Sequence, residues 1–141
     1  MGVEPAADVA EVSARLAPFA DDPAGSVVIV DFDGTLAPIV PDPPAAAPLY
    51  GAAAALTRLS RNVGTVAVVS GRPVRFLQDA LPVDGLVLYG HYGVECFADA
   101  SVSTVQGSQE WAGAIRAAAD EAEAALPRLF VERKGAVAVA L

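Results

Sequence analysis

The stretch VVIVDFDGTL, residues 27–36, sets four consecutive β-branched apolar residues directly before two aspartates one residue apart. Such a run, preceded by DDPAG, reads over residues 27–30 as a short, fully buried strand of the kind found inside a parallel sheet. Taking a carboxylate out of water is costly unless it is paired, hydrogen-bonded or bound to a metal, so Asp31 and Asp33 need a reason to stand there. In extended backbone, residues i and i+2 face the same way, which points the two aspartates together and Phe32 into the core. Gly34 lets the chain turn sharply, and Thr35 then returns a hydroxyl towards the same point. Adjacent carboxylates repel unless a cation sits between them or one holds a proton, and either solution suits phosphoryl transfer. The same residue types also build an Asx turn with a helix cap, a purely structural use.

The pattern repeats along the chain. An alanine-rich helix is expected over residues 49–61 and an apolar strand over 63–69, ending at Ser70, Gly71, Arg72 and Pro73. A helix over 74–81 and a strand over 86–89 follow, ending in Gly90 and Gly93. Helices alternating with short buried strands imply an α/β fold with a parallel sheet. Asp31, Asp33, Thr35, Ser70, Arg72 and Tyr92 then all fall at or just past C-terminal strand ends, where open α/β sheets bind ligands, so they should gather at one edge. Ser70, Gly71 and Arg72 offer a hydroxyl, an unhindered N–H and a guanidinium, all suited to phosphate oxygens. Taken alone they also serve as a helix N-cap.

Flanking segments are less specific. Val9, Val12, Leu16 and Phe19 recur at helical spacing within residues 6–19, which predicts an amphipathic helix packed on the core, with Asp8 and Glu11 near its start. Prolines 38, 41, 43, 44 and 48 make a stiff loop that is excluded from a central strand. Beyond Glu95, CFADASVSTVQG reads as a hairpin-like connection, and Ser108 as the cap of a helix carrying Trp111, Ile115, Ala119, Ala122 and Leu126. Residues 130–141 alternate loosely, like a half-exposed strand. Residues 1–97 are thus expected to form a core unit and residues 98–141 the start of a second module.

With 141 residues, 54% of them hydrophobic, the chain has enough apolar material for one core. Its formal net charge of -8 argues against nucleic acid as a partner, since phosphate-backbone binding needs a basic surface. No apolar run reaches the roughly 18 residues of a membrane span, and the acidic start is unlike a signal peptide, so a cytoplasmic protein is the expectation. The single cysteine, Cys96, reads as an ordinary buried thiol.

DFDGTLAPIVPDP and VSGRP resemble the first two motifs of the haloacid dehalogenase superfamily. With GHYGVE (90–95) and VERKGAVAVAL (131–141) in the same order, the chain is similar to the trehalose-6-phosphate phosphatases within it. The resemblance runs from about residue 27 to the end. It implies a Rossmann-like parallel sheet with an inserted α+β cap, and Mg2+-dependent hydrolysis of trehalose 6-phosphate. Asp31 would be the nucleophile that forms an aspartyl phosphate, and Asp33 the acid and then the base. Mg2+ would rest on the Asp31 carboxylate and the Asp33 backbone carbonyl. Thr35 and Ser70 would hold the phosphoryl group, Gly71 and Arg72 would assist, and Glu132 and Lys134 of the cap would read the sugar hydroxyls.

Two departures qualify the resemblance. The family commonly shows G-x-H-G-x-E, so Tyr92 stands at the histidine position, while Gly90, Gly93 and Glu95 fit, Tyr92 and Glu95 are expected among the substrate-binding residues, and His91 is left with a surface or loop role. Tyr92 keeps one hydroxyl with which to donate to sugar or phosphate. The superfamily also uses a lysine and an acidic pair downstream of the cap. Lys134 is the only lysine and no Asp-Asp pair follows residue 95. The chain is therefore expected to be the N-terminal part of such an enzyme, nearly inactive alone. Two other readings stay open: a phosphatase for another sugar phosphate, and an inactive fragment that binds a phosphosugar or a partner.

Overall fold

The computed structural model describes residues 8–126, 128, 131–134 and 138–140. It is built on a five-stranded mixed sheet in the order β1-β2-β3-β4-β5: β1 (Val27–Asp31), β2 (Thr65–Val69), β3 (Leu86–Gly90), β4 (Glu95–Ala98) and β5 (Ser101–Thr104). The first three strands are parallel, linked through α2 (Ala52–Asn62) and α3 (Val74–Ala80), and the last two are antiparallel. The α/β architecture expected from the alternation is present, and so is the hairpin-like connection, which turns at Asp99 and Ala100 with positive φ in both. β5 lies past residue 97 yet belongs to the same sheet as the preceding strands.

The core sits around β2, whose Val66, Ala67 and Val68 are all buried, so both faces of that strand are covered. Phe32, Leu56, Val74, Leu77, Leu81, Leu86 and Leu88 pack around it. Each fully buried side chain of this size contributes roughly 1.5–3 kcal/mol over leaving it in water.

Burial departs from the sequence expectation at three elements. Among the described residues β1 pairs only with β2 and stands at the edge of the sheet, and Ile29 remains 65% exposed. Four β-branched residues specify a strand but not how many neighbours it has. The first helix, α1 (Val9–Asp21), is capped by Asp8, whose carboxylate accepts from the Ala10 N–H, yet none of its residues is buried. Its apolar stripe does not pack on the core. Residues 6 and 7 of the expected helix lie outside the described residues. In α4 (Ser108–Ala125) the covered line is Ala112, Ile115, Ala119 and Ala122, while Trp111 is 67% exposed. The cap of α4 is Gly107, in the left-handed region at φ 85, and Ser108 is the first helical residue.

The final stretch holds two short antiparallel strands, β6 (Glu132–Lys134) and β7 (Ala138–Ala140), in place of one. Residues 130, 135–137 and 141 of the expected strand lie outside the described residues. Arg133 ties β6 to α4 through ion pairs with Asp120 and Glu123, at 2.8 and 2.7 Å. No helix among the described residues is long and apolar enough to cross a membrane.

Candidate active site

Asp31 ends β1, and its Oδ1 accepts from the Phe32 N–H at 2.8 Å. Phe32 is completely buried, which turns the residues on either side of it outward. Gly34 then reverses the chain at φ +88 and donates to the Ala37 carbonyl, a conformation that glycine takes without strain. Asp31 and Asp33 end up facing one cavity of about 1140 Å³, together with Ser70, Gly71, Arg72, Tyr92 and Glu132. The proline-rich loop supplies another wall through Val40, Pro41, Pro43 and Pro44. Thr35 is exposed on the same turn and is not among the lining residues. Of Lys134 the backbone is described, on β6, and its side chain lies outside the described residues.

At the end of β2 the chain makes a tight polar turn. Ser70 is buried, and its Oγ accepts from the Arg72 N–H at 3.1 Å. The Arg72 side chain then crosses the cavity floor. Its Nε and Nη2 donate to Asp33 Oδ2 and Oδ1 at 2.9 and 2.7 Å, and Nη1 donates to the Pro43 carbonyl at 2.6 Å. The guanidinium stacks over the Phe76 ring at 4.7 Å, and Phe76 meets Phe32 edge-on at 5.6 Å. The Arg72 pKa is pushed above its ordinary value, first by the hydrogen bond to Asp33, against the opposing effect of burial, with the charges of Asp33 and Glu132 adding. Motif spacing shows no sign of this fork, because the partners are 39 residues apart in sequence.

The GHYGVE segment buttresses that turn. His91 and Tyr92 both take left-handed backbone, at φ 49 and 59, which costs a non-glycine residue about 1–3 kcal/mol. Their N–H groups are held by the Arg72 and Ser70 carbonyls at 2.8 and 3.0 Å. A Cβ on Gly71 would meet the Tyr92 ring at 2.8 Å, so glycine there lets the phenol lie over the turn. Of the surface or loop role expected of it, His91 takes the loop part, in the turn after β3, but it is buried, with its N–H held by the Arg72 carbonyl; its Nδ1 lies 3.2 Å from Glu95 Oε1. Cys96, expected as a buried thiol, is only half-buried, like every residue of β4.

Glu95 does not line the cavity. Its Oε2 accepts from the Val74 N–H at 2.8 Å and fastens β4 to the start of α3. Glu95→Ala is expected to cost about 1.5–3 kcal/mol by removing a charged acceptor from a covered N–H, and Glu95→Gln less than half of that. Denaturant unfolding of the two variants checks it, and an alanine variant as stable as wild type would remove the clamp.

A family model described as trehalose-phosphatase matches residues 29–140. A trehalose-phosphate phosphatase of Mycobacterium avium is 48% identical over 71 residues, covering 50% of this chain and 18% of that protein. One from Mycolicibacterium paratuberculosis is 39% identical over 115 residues, covering 76% of this chain and 28% of that protein. The C-terminal domain of a C. albicans trehalose-6-phosphate phosphatase superposes with a TM-score of 0.68 at 24% identity, over 84% of this chain and 42% of that one, a likeness of fold. The chain spans less than a third of the length of these two curated relatives.

Proposed function

The chain belongs to the trehalose-phosphatase family, and on that footing we propose that it carries the nucleophile and the acid–base residue of a phosphatase that hydrolyses trehalose 6-phosphate. The observation that carries the reading is the pair of aspartates, Asp31 and Asp33, turned into one cavity at the C-terminal ends of β1 and β2 beside Ser70.

In the first step the Asp31 carboxylate attacks phosphorus. The bond from phosphorus to the sugar oxygen breaks, and that oxygen takes a proton from Asp33. In the second step Asp33 removes a proton from water, which attacks the aspartyl phosphate, releases inorganic phosphate and regenerates Asp31. The Ser70 hydroxyl and the Gly71 N–H stand where they can donate to phosphoryl oxygens, and Thr35 would join them only if its hydroxyl turned inward. Tyr92 and Glu132 line the same cavity, where in this reading they meet the sugar, and Lys134 follows Glu132 two positions on along β6.

Mg2+ fits the donor chemistry. The Asp31 carboxylate and the Asp33 backbone carbonyl are hard oxygen donors, and no group of three or more His, Cys, Asp or Glu that could hold a metal occurs among the described residues. An ion held by so few protein oxygens keeps water and phosphoryl oxygens as its other ligands, which is ordinary for magnesium. When bound it would offset phosphoryl charge.

A core followed by the beginning of a cap is part of the same proposal, with β5 kept in the core sheet and the cap starting from α4, past the boundary expected at residue 97. It is supported by the separate β6–β7 sheet, joined to α4 through Arg133.

Phosphate release from trehalose 6-phosphate and from glucose 6-phosphate, each with magnesium and with a chelator, tests the reading in the full-length protein. Magnesium-dependent release favouring the disaccharide is expected. Equal rates on both esters would transfer the reading to a broader sugar phosphatase, and release from neither would overturn it. In the same assay Asp33→Asn is expected to slow turnover by roughly 10²–10⁴-fold. An unchanged rate would leave Asp33 with a structural role.

A further inference from the structure

The side chain that holds Asp33 is itself held on every side. Two of the Arg72 nitrogens form a parallel fork onto both Asp33 oxygens, at 2.9 and 2.7 Å, and a third donates to the Pro43 carbonyl at 2.6 Å. The stacked Phe76 ring fixes the plane of the guanidinium, and Phe76 is fixed in turn against Phe32, the fully buried neighbour of Asp33. Contacts therefore run from Phe32 through Phe76 and Arg72 back to residue 33. Only 17% of the Arg72 side chain is exposed, against 33% for Asp33.

We propose that Arg72 is a positioning residue, which aims the Asp33 carboxylate at the leaving sugar oxygen, and is not a ligand of the phosphoryl group. The proposal deepens the phosphatase reading and rests on it. A planar guanidinium binds phosphate best through the same bidentate fork that here is spent on a carboxylate. Lifting the fork off Asp33 would break two charge-assisted hydrogen bonds and forfeit the fit to Phe76 and the Pro43 carbonyl. A carboxylate oxygen has two lone-pair sites, and the fork uses one on each. A small misplacement of such a group is costly, because proton delivery needs hydrogen-bond reach to the leaving oxygen. The stiff proline loop thereby gains a function: the Pro43 carbonyl sets how far the guanidinium reaches across the cavity.

Two esters separate positioning from phosphate binding in the full-length protein. A sugar oxygen leaves only with a proton, whereas p-nitrophenolate leaves without one, and kcat/KM reports the steps up to the first bond cleavage. Arg72→Ala is expected to lower kcat/KM for trehalose 6-phosphate by roughly 10²-fold, within the range for general acid catalysis, and for p-nitrophenyl phosphate by less than about fivefold. In an Asp33→Asn background the same substitution is expected to cost less than about threefold, because the two residues act as one unit. Arg72→Lys keeps the charge without the fork and should not restore the sugar ester.

Equal losses on both esters, losses that multiply with Asp33→Asn, or full rescue by lysine would overturn the proposal and make Arg72 a phosphate ligand. If the aryl ester is not turned over, the double-substitution cycle on trehalose 6-phosphate decides alone. Wild-type protein that hydrolyses neither ester overturns the phosphatase reading and this role with it. That result is distinct from wild type that turns over both while the variant loses equally on each.

Discussion

Asp31→Asn in the full-length protein is expected to bring phosphate release from trehalose 6-phosphate down to background while leaving the unfolding midpoint where it was. The two halves of that expectation have separate causes. An amide has the shape of a carboxylate but no charge with which to attack phosphorus, so no covalent intermediate forms. The fold is indifferent because Asp31 is the exposed last residue of β1, outside the packed cluster of Phe32, Leu56 and Leu77. Its one described hydrogen bond, from the Phe32 N–H to Oδ1, is kept by the amide oxygen of asparagine. An exposed substitution that preserves its contacts is worth within about 0.5 kcal/mol. Phosphate release and a thermal melt, run on the same preparation, check both halves. Turnover near the wild-type rate would remove Asp31 from the chemistry. A lost transition would show that the strand end is structural.

Local signals in the sequence carried as far as local physics does. Residues 27–36 announce a strand, a sharp turn and two carboxylates on one side, because backbone alternation and the freedom of Gly34 are properties of a few neighbouring residues. What stands beside the strand is not such a property. Among the described residues β1 stands at the edge of the sheet, and α1 presents Val12, Leu16 and Phe19 with none of them buried. In α4 the apolar spacing does not say which residues are covered: the small Ala112 and Ala119 are buried while Trp111 stays exposed.

The site shows the same division. That Ser70, Arg72 and Tyr92 meet Asp31 and Asp33 follows from where parallel strands end. That Arg72 faces Asp33 depends on Phe76, one helical turn further along the chain, and on the Pro43 carbonyl, 29 residues away in sequence, whose meeting with Arg72 no periodicity encodes. Glu95 belongs to the motif by spacing, but its bond to the Val74 N–H gives it a task one step removed from the cavity.

Gly90→Ala is expected to cost about 2–3 kcal/mol or more and to cut kcat/KM by roughly 10²-fold. Conformation is not the reason, since the Gly90 backbone at φ -99 and ψ 165 is open to any residue. The reason is space. A Cβ there would run into the Val74 nitrogen and come within 2.8 Å of the Arg72 carbonyl oxygen and 3.0 Å of the Pro73 carbonyl carbon. All three are backbone atoms of the turn between β2 and α3, so no side chain can rotate away to make room. The turn itself has to move, taking the Arg72 fork and the Ser70 hydroxyl with it, and the His91 N–H to Arg72 carbonyl bond of 2.8 Å stretches. Gly93 is the control. It has the left-handed φ of +91 but nothing within 4 Å of an added Cβ, so Gly93→Ala pays only for its backbone, about 1 kcal/mol. Denaturant unfolding and kcat/KM for trehalose 6-phosphate, measured on both variants, separate close approach from backbone strain. Should Gly90→Ala prove as stable and as active as Gly93→Ala, β3 would not be pressed against the turn, and the buttress that holds the phosphate side of the cavity would have to lie elsewhere.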